Sequence, residues 1–298
     1  MATQPGAAAG VSDEAPISLY AQRPPRLRGT AGTVASTVST IVLVGAIVVL
    51  FLLPSSAGFR HEFFSPHYLW ESFRLHPSDY LYSVSKAFLY TVLLSVICEP
   101  IVLVLALAVA TLRMTTGPVL KPFRGLCIAY TDFARGVPLI LIMLWVGFGI
   151  PELNAGWISS QSVFVYGGMV LVFTYTAYVS EVVRAGIYSV PRSQASAARS
   201  LGLSSRDTLA RVVVPQAVRN VLPALLNDFV SLQKDTAIVS VLGAVELTHA
   251  AQADASYWFN SAPYAIAAGF YLLLTVPLTR YTDRLLAKDR DRRLAGSA

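Results

Sequence analysis

Long apolar runs alternate with short polar segments along most of the chain. The runs lie at approximately 33–53, 83–112, 126–150, 163–187, 217–243 and 263–287. Each is long enough to cross roughly 30 Å of hydrocarbon, which takes about 20 helical residues. The pattern predicts an all-α membrane protein with about six transmembrane helices. Pro223, Asn227, Asp228, Lys234 and Asp235 interrupt the fifth run. Such breaks are tolerated where a helix faces other protein or a water-filled cavity, so the fifth span is predicted to be interior.

The polar segments set an orientation. Basic residues gather before the first run (Arg23, Arg26, Arg28), between the second and third (Arg113, Lys121, Arg124), between the fourth and fifth (Arg184 through Arg219) and after the sixth (Arg280 through Arg293). These four segments hold 18 of the 23 basic residues, against Arg60 and Arg74 in the opposite loops. The positive-inside rule then predicts a multi-pass protein of the cytoplasmic membrane, with both termini cytoplasmic. Residues 1–32, rich in Ala, Gly, Pro and Arg, read as a disordered cytoplasmic tail. The run at 33–53 is too long for a signal-peptide core and reads as an uncleaved additional span. The loop from Pro54 to Tyr82 is predicted external, its aromatics (Phe63, Phe64, Tyr68, Trp70, Phe73, Tyr80, Tyr82) anchoring the spans at the interface. Residues 289–298 form a charge-alternating cytoplasmic tail.

Composition narrows the classes. Hydrophobic residues make up 54% of the 298 and charged residues 13%, about half the charge usual in a soluble domain. A large soluble domain does not fit in what remains. The net charge of +6 sits in the clusters between runs, and no nucleic-acid partner is implied. Two cysteines, Cys98 and Cys127, lie in or beside apolar stretches as packing residues. No metal-ligand spacing links the four histidines, and no catalytic cluster or phosphate loop is present, so no cofactor, metal or catalytic residue is expected.

The basic segment between the fourth and fifth runs has the punctuation of helices. Pro191 suits a first helical position, and Gly202 suits the left-handed residue just past a helix end. Ser204 with Asp207 has capping-box spacing, and Pro215 opens the helix that continues into the fifth span. Two short helices joined by a glycine turn would make a compact cytoplasmic knob. Ala195, Ser196, Ala197 and Ala198 would let a partner backbone approach closely. The same spacing also suits an ordinary amphipathic loop.

At this point the chain resembles the permease subunits of ABC importers, specifically the polar amino acid uptake group. That family carries Glu-Ala-Ala, three residues, Gly, nine residues, Ile, one residue, Leu-Pro; here Ser196-Ala197-Ala198, Gly202, Val212, Val214 and Pro215 keep the spacing. Ala134-Arg-Gly-Val-Pro-Leu139, Tyr178-Val-Ser-Glu-Val-Val-Arg-Ala-Gly-Ile187, Ser231-Leu-Gln-Lys-Asp-Thr236 and Val245-Glu-Leu-Thr248 are similar to further family motifs. The resemblance covers roughly residues 80–288 and implies a five-helix type I permease core plus one extra N-terminal span, with a coupling loop at 188–215. It implies a transport subunit rather than an enzyme, translocating a polar amino acid of glutamate or glutamine type. A cytoplasmic ABC ATPase dimer would hydrolyse the ATP. A second permease subunit, identical or related, and an extracytoplasmic solute-binding protein would complete the assembly within the lipid. Ser196, Ala197, Ala198, Leu201, Gly202 and Pro215 would couple to the ATPase. Ser196 departs from the family's Glu, which weakens that contact.

Ionisable groups inside a membrane point to a pathway by default. Lys234 and Asp235 are adjacent, about 100° apart on a helix, and cannot simply pair. With Thr236 they either line the translocation path, as the resemblance implies, or fix helix packing. Glu181 and Arg184, three apart, form a structural pair or face the path. Asn227, Asp228 and Tyr178 are candidate substrate-facing groups. Arg135 either holds a substrate carboxylate or caps the cytoplasmic end of the third span. Pro100 is predicted to kink the second span, and Glu99 to face a cavity between permeases. Other readings are an ion-coupled secondary transporter, a membrane-embedded enzyme, or an importer for a sulfonate or methionine. The first predicts internal repeats, which are not evident, and the second needs the catalytic cluster that is missing. The Arg-Gly-x-Pro and Lys-Asp-Thr matches disfavour the third.

Overall fold

The computed structural model describes residues 30–74, 83–115 and 117–295. Regular structure among these residues is helical, with no strand. The chain divides into two compact units, Met1–Gly58 and Phe59–Ala298. In the first, α1 (Thr30–Leu52) covers the first predicted span in 23 residues, and its apolar side chains from Val38 to Leu50 are exposed within the chain, as lipid-facing residues would be. Pro54 opens a single 3-10 turn, Pro54–Ser56, which the Ser56 hydroxyl closes by donating to the Leu53 carbonyl at 2.8 Å. Residues 1–29 of the expected tail lie outside the described residues.

The aromatic segment is not a plain loop. It forms two short helices, α2 (Ala57–Phe64) and α3 (Pro66–Phe73). Burial of aromatic faces holds this part of the second unit: Phe73 and Phe88 both stack on Phe270, the latter at 4.6 Å between ring centroids, and Tyr68 meets Trp258 at 5.9 Å. Phe64 and Trp70 remain exposed within the chain, at 47% and 59%. Tyr80 and Tyr82 lie outside the described residues.

The second predicted span is α4 (Val84–Met114), started by Ser83, whose hydroxyl accepts from the Lys86 amide. It runs on through Pro100 without a break; one missing amide donor does not end a helix of this length in an apolar setting. Small or slender residues recur along one side, Leu94, Cys98, Val102, Ala106 and Ala110, and this stripe is buried. It packs against α7 (Val163–Tyr188). With Met143, Leu171, Leu232, Val239 and Leu242 it forms the main core.

The third predicted span is the clearest correction. Residues 126–150 are not one helix: α5 (Lys121–Gly136) and α6 (Leu139–Glu152) meet at a 105° bend. Pro138 pushes Val137 into extended backbone (φ −96°, ψ 131°), as the residue before a proline is pushed. Apolar content runs through the break, which hid it from hydropathy.

The cytoplasmic segment also differs in detail. Pro191 caps α8 (Arg192–Ser200) from outside instead of opening it. Gly202, at φ +85°, closes it: the Gly202 amide donates to Arg199 and the Leu203 amide to Ala198, the paired bonds of a Schellman ending. The second short helix is not separate. Single-turn α9 (Ser205–Thr208) passes through a wide π turn, Leu209–Val213, into α10 (Val214–Asp235). A 3-10 stretch, Thr236–Leu242, extends the run to left-handed Gly243. The fifth span therefore belongs to one helical run from 205 to 242. Pro215 stands in the first turn of α10, as the sequence predicts, although α10 continues from the wide turn without a gap; the looser hydrogen bonding there suits a residue with no amide to donate.

A helix the hydropathy pattern missed, α11 (Leu247–Trp258), follows. It is short and mixed in character, so it lacks the signature of a span. It packs on α4 and on α12 (Ala262–Ala295) through a second core of Val84, Ala87, Leu247, Ala250, Ala251 and Ala267. By length and apolarity four helices could each span a membrane, or up to six spans if each bent pair counts as one.

Candidate functional site

Three constellations carry the polar chemistry of the second unit. The first is the α8 knob. Ala198 is buried and anchors it, whereas Ser196, Ala197 and Gly202 face outward. Leu201 is 82% exposed. The base of the knob is tied down: the Asn220 amide donates to the Ser189 hydroxyl at 2.8 Å, which itself donates to the Gly186 carbonyl. Gly186 on α7 lies directly against the Val221 side chain of α10, with no room for a Cβ. The base of the knob is thereby tied to both long helices. Pro215 is exposed and lies in the run that follows the knob, not at its tip.

The second constellation lies inside the bundle between α4, α7 and α10. The Tyr175 hydroxyl donates to an Asp235 carboxylate oxygen at 2.7 Å, and Tyr178, one turn on, meets the Tyr175 ring edge-on at 6.0 Å. Asp228 lies within electrostatic reach of both Glu99 and Tyr175. One of its buried carboxylate oxygens has no hydrogen-bond partner among the described residues. Lys234 points away, exposed and without an ion pair among the described residues, and Asn227 is exposed on α10 as well. Thr236 is fully buried, its hydroxyl donating to the Gln233 carbonyl at 2.6 Å. Asp235 and Tyr178 thus converge, joined by Tyr175; Lys234 and Asn227 lie on an outward face, and Thr236 is a packing residue in geometry. Tyr175 went unnoticed in the sequence, although it stands three residues before Tyr178 and so on the same side of a helix.

The third is a charge node at the arginine-rich end. Glu181 accepts from Arg184 through both Nε (3.1 Å) and Nη2 (2.6 Å), and its other oxygen accepts from Arg113, in the last turn of α4. Arg135, at the end of α5, stands 3.6 Å from the same oxygen. The Glu181–Arg184 pair foreseen at i, i+3 is therefore part of a larger junction that ties α4, α5 and α7. Arg135 sits at the bend between α5 and α6, so it does not cap the end of a straight third span. Arg113 was read only as an orientation charge, because its partner is 68 residues away in sequence.

Glu246 was also missed as a structural centre. It is fully buried, caps α11 by accepting from the His249 amide at 2.9 Å, and lies within reach of the Thr91 and Tyr271 hydroxyls at 3.4 and 3.3 Å. Burial pushes its carboxyl above the ordinary carboxylate range, and these hydrogen bonds only partly offset the effect. Among the described residues no group of three His, Cys, Asp or Glu is placed to hold a metal ion.

Comparison with known proteins fits this architecture. The profile of the family described as binding-protein-dependent transport system inner membrane component matches residues 118–288. The chain is 37% identical over 205 residues to the probable glutamine ABC transporter permease protein GlnM of Bacillus subtilis, covering 67% of this chain and 92% of that protein. It is 33% identical over 190 residues to the arginine transport system permease protein ArtQ of the same organism, covering 63% and 84%. A crystal structure of an amino acid ABC transporter with histidines superposes with a TM-score of 0.63 at 30% identity, covering 72% of this chain and 100% of that one. The MetNI methionine ABC transporter, at a TM-score of 0.57 and 17% identity, shares the fold. With more than half of its length inside the family profile and its helical bundle common to these proteins, the chain belongs to the binding-protein-dependent transport system inner membrane components, permease subunits that are not themselves enzymes.

Proposed function

We propose that this chain is the transmembrane subunit of an ATP-driven importer for a polar α-amino acid. Residues 80–288 would form the permease domain, with the coupling loop at 188–215, the span at 33–53 as an addition and both termini cytoplasmic. Its partners would be a cytoplasmic ATPase dimer, a second permease and an external solute-binding protein. The observation that carries this reading is the α8 knob, an exposed Leu201 beside left-handed Gly202 on an element clamped to two long helices. Ser196, Ala197, Ala198, Leu201 and Gly202 form the seat for the ATPase, and Pro215 follows in the lever. Among relatives, the names glutamine permease and arginine permease support an amino acid substrate.

The bundle interior narrows the side chain. Glu99, Asp228 and Asp235 bring three carboxyl groups to the α4–α7–α10 region. A substrate side chain carrying another carboxylate would add to this acidic cluster, which disfavours it. A neutral amide or a cationic side chain is favoured over glutamate, with Tyr178 as a hydrogen-bonding group and Asp235 on the helix that lines the route, while Asn227 and Lys234 face away from this interior and Thr236 packs within it. Arg135 and Glu181 act at the end of that route as part of the charge node.

Gly202→Asp tests the coupling role. It places a branched charged side chain at φ +85°, a conformation costing an L-residue about 1 kcal/mol or more, and sets the charge at the docking surface. In the complex reconstituted with its ATPase and binding protein, uptake and substrate-stimulated ATP hydrolysis should both fall at least tenfold while membrane insertion persists. Unchanged stimulation would remove the knob from the coupling path.

A further inference from the structure

We propose that Tyr175 is a positioning residue for the substrate: from behind the pathway it fixes the Asp235 carboxylate so that the free oxygen takes a cationic nitrogen of the amino acid. This rests on the importer reading above. Tyr175 is 4% exposed, and its ring belongs to the main core with Leu171, Val179 and Leu232. The two groups in front of it are more open: Asp235 is partly exposed and Tyr178 is 39% exposed. A residue packed as deeply as Tyr175 does not reach a solute, but it touches both residues that can. Its hydroxyl donates to Asp235 Oδ2 at 2.7 Å, and its ring meets Tyr178 edge-on at 6.0 Å.

Asp235 needs that donor. It is the last residue of α10, where the helix passes into the 3-10 stretch, and the C-terminal end of a helix dipole repels an anion. Asp228, seven residues earlier, lies two turns back on the same face, about 10 Å along the axis, and is a carboxylate as well. The adjacent cation, Lys234, is exposed and turned about 100° away on the helix. Among the described residues Asp235 forms no ion pair, and Tyr175 supplies the one hydrogen bond to its carboxylate. An arginine or lysine in that place would neutralise the carboxylate. A phenol orients it and leaves its charge in place. That charge, with one oxygen unused, is open to a positive group from outside the chain. The α-ammonium of every amino acid and the side chain of a basic one share this chemistry.

The test measures equilibrium binding of labelled glutamine and labelled arginine to the full-length chain purified with its ATPase. The binding protein is left out, so that the affinity read is the permease's own. Tyr175→Phe keeps the ring against Tyr178 and removes only the hydroxyl. It should weaken binding about tenfold, the effect of losing one hydrogen bond to a charged group. Asp235→Asn should weaken it at least as much. The double variant should bind no worse than Asp235→Asn alone, because the hydroxyl acts only through the carboxylate. A tyrosine that merely packs would leave binding unchanged in Tyr175→Phe. Loss for both amino acids identifies the α-ammonium as the bound group, and loss for arginine alone identifies the side-chain cation. Unchanged binding by Tyr175→Phe, additive effects in the double variant, or no binding by a wild-type complex that imports either amino acid would overturn the proposal. A wild-type complex that binds these amino acids with the expected pattern but imports none would overturn the transport reading and leave the role of Tyr175 standing, so the two failures are distinct.

Discussion

Single residues hold this protein together where helices of different spans meet. Glu181 is the plainest case, because one carboxylate satisfies groups from α4, α5 and α7. Glu181→Ala should destabilise the chain by on the order of 2–4 kcal/mol, since it leaves the nearly buried Arg113 without a counter-charge; thermal unfolding in detergent measures it. Glu246 behaves differently. Its carboxyl lies above the ordinary carboxylate range because it is buried. A carboxyl raised in the folded state favours folding most when protonated. The native state therefore loses stability as pH rises from the ordinary carboxylate value through the raised one. The unfolding midpoint of the wild type should fall across that window. Glu246→Gln, which keeps an acceptor for the His249 amide, should flatten the profile. A wild-type midpoint that rises over the same window would contradict this account.

At the scale of elements, caps and breaks decide the shape of the cytoplasmic segment. Ser204 accepts from the Asp207 amide at 3.1 Å and donates to its carboxylate at 2.6 Å, so the long 205–242 run begins at a defined residue. Ser204→Ala should cost about 1 kcal/mol, read as a lower unfolding midpoint with little change in spectroscopic helix content. This much was legible in the sequence, because caps are local: Ser204, Asp207 and Gly202 sit within a few residues of the groups they satisfy. The α5–α6 bend was less legible. Gly136 and Pro138 are stop signals on the page, but the apolar residues on both sides outweigh them in any hydropathy window. Short α11 was hidden for the opposite reason, since its burial rests on α4 and α12 and not on its own apolarity.

At the scale of the whole molecule, the proposed pathway draws on carboxyl groups from separate spans. Glu99 on α4 and Asp228 on α10 are 129 positions apart in the numbering, yet each lies within electrostatic reach of the other. Glu99→Gln keeps the shape and removes one charge. In the reconstituted complex it should raise the KM for a cationic amino acid several-fold, with a smaller effect on the maximal rate. Uptake indistinguishable from wild type would exclude Glu99 from the pathway. The same assembly should co-purify with an ATPase and a solute-binding protein, and the absence of both would sink the importer reading.

The sequence by itself determined that the chain is a helical membrane protein, where most of its spans lie and where the α8 knob is capped. Those properties follow from hydrophobic run length and from bonds between near neighbours, which need no knowledge of the fold. Family motifs extended that reading to Glu181, Arg135 and Asp235 as residues of interest. Only the tertiary structure decided what each one touches: Glu181 meets Arg113 and Arg135, Tyr175 holds Asp235, and Glu246 joins three helices. Helix packing sets such contacts, and a single sequence does not state the relative rotation of two helices. A charge inside the bilayer announces that it must find a partner, but only the packed bundle says which one.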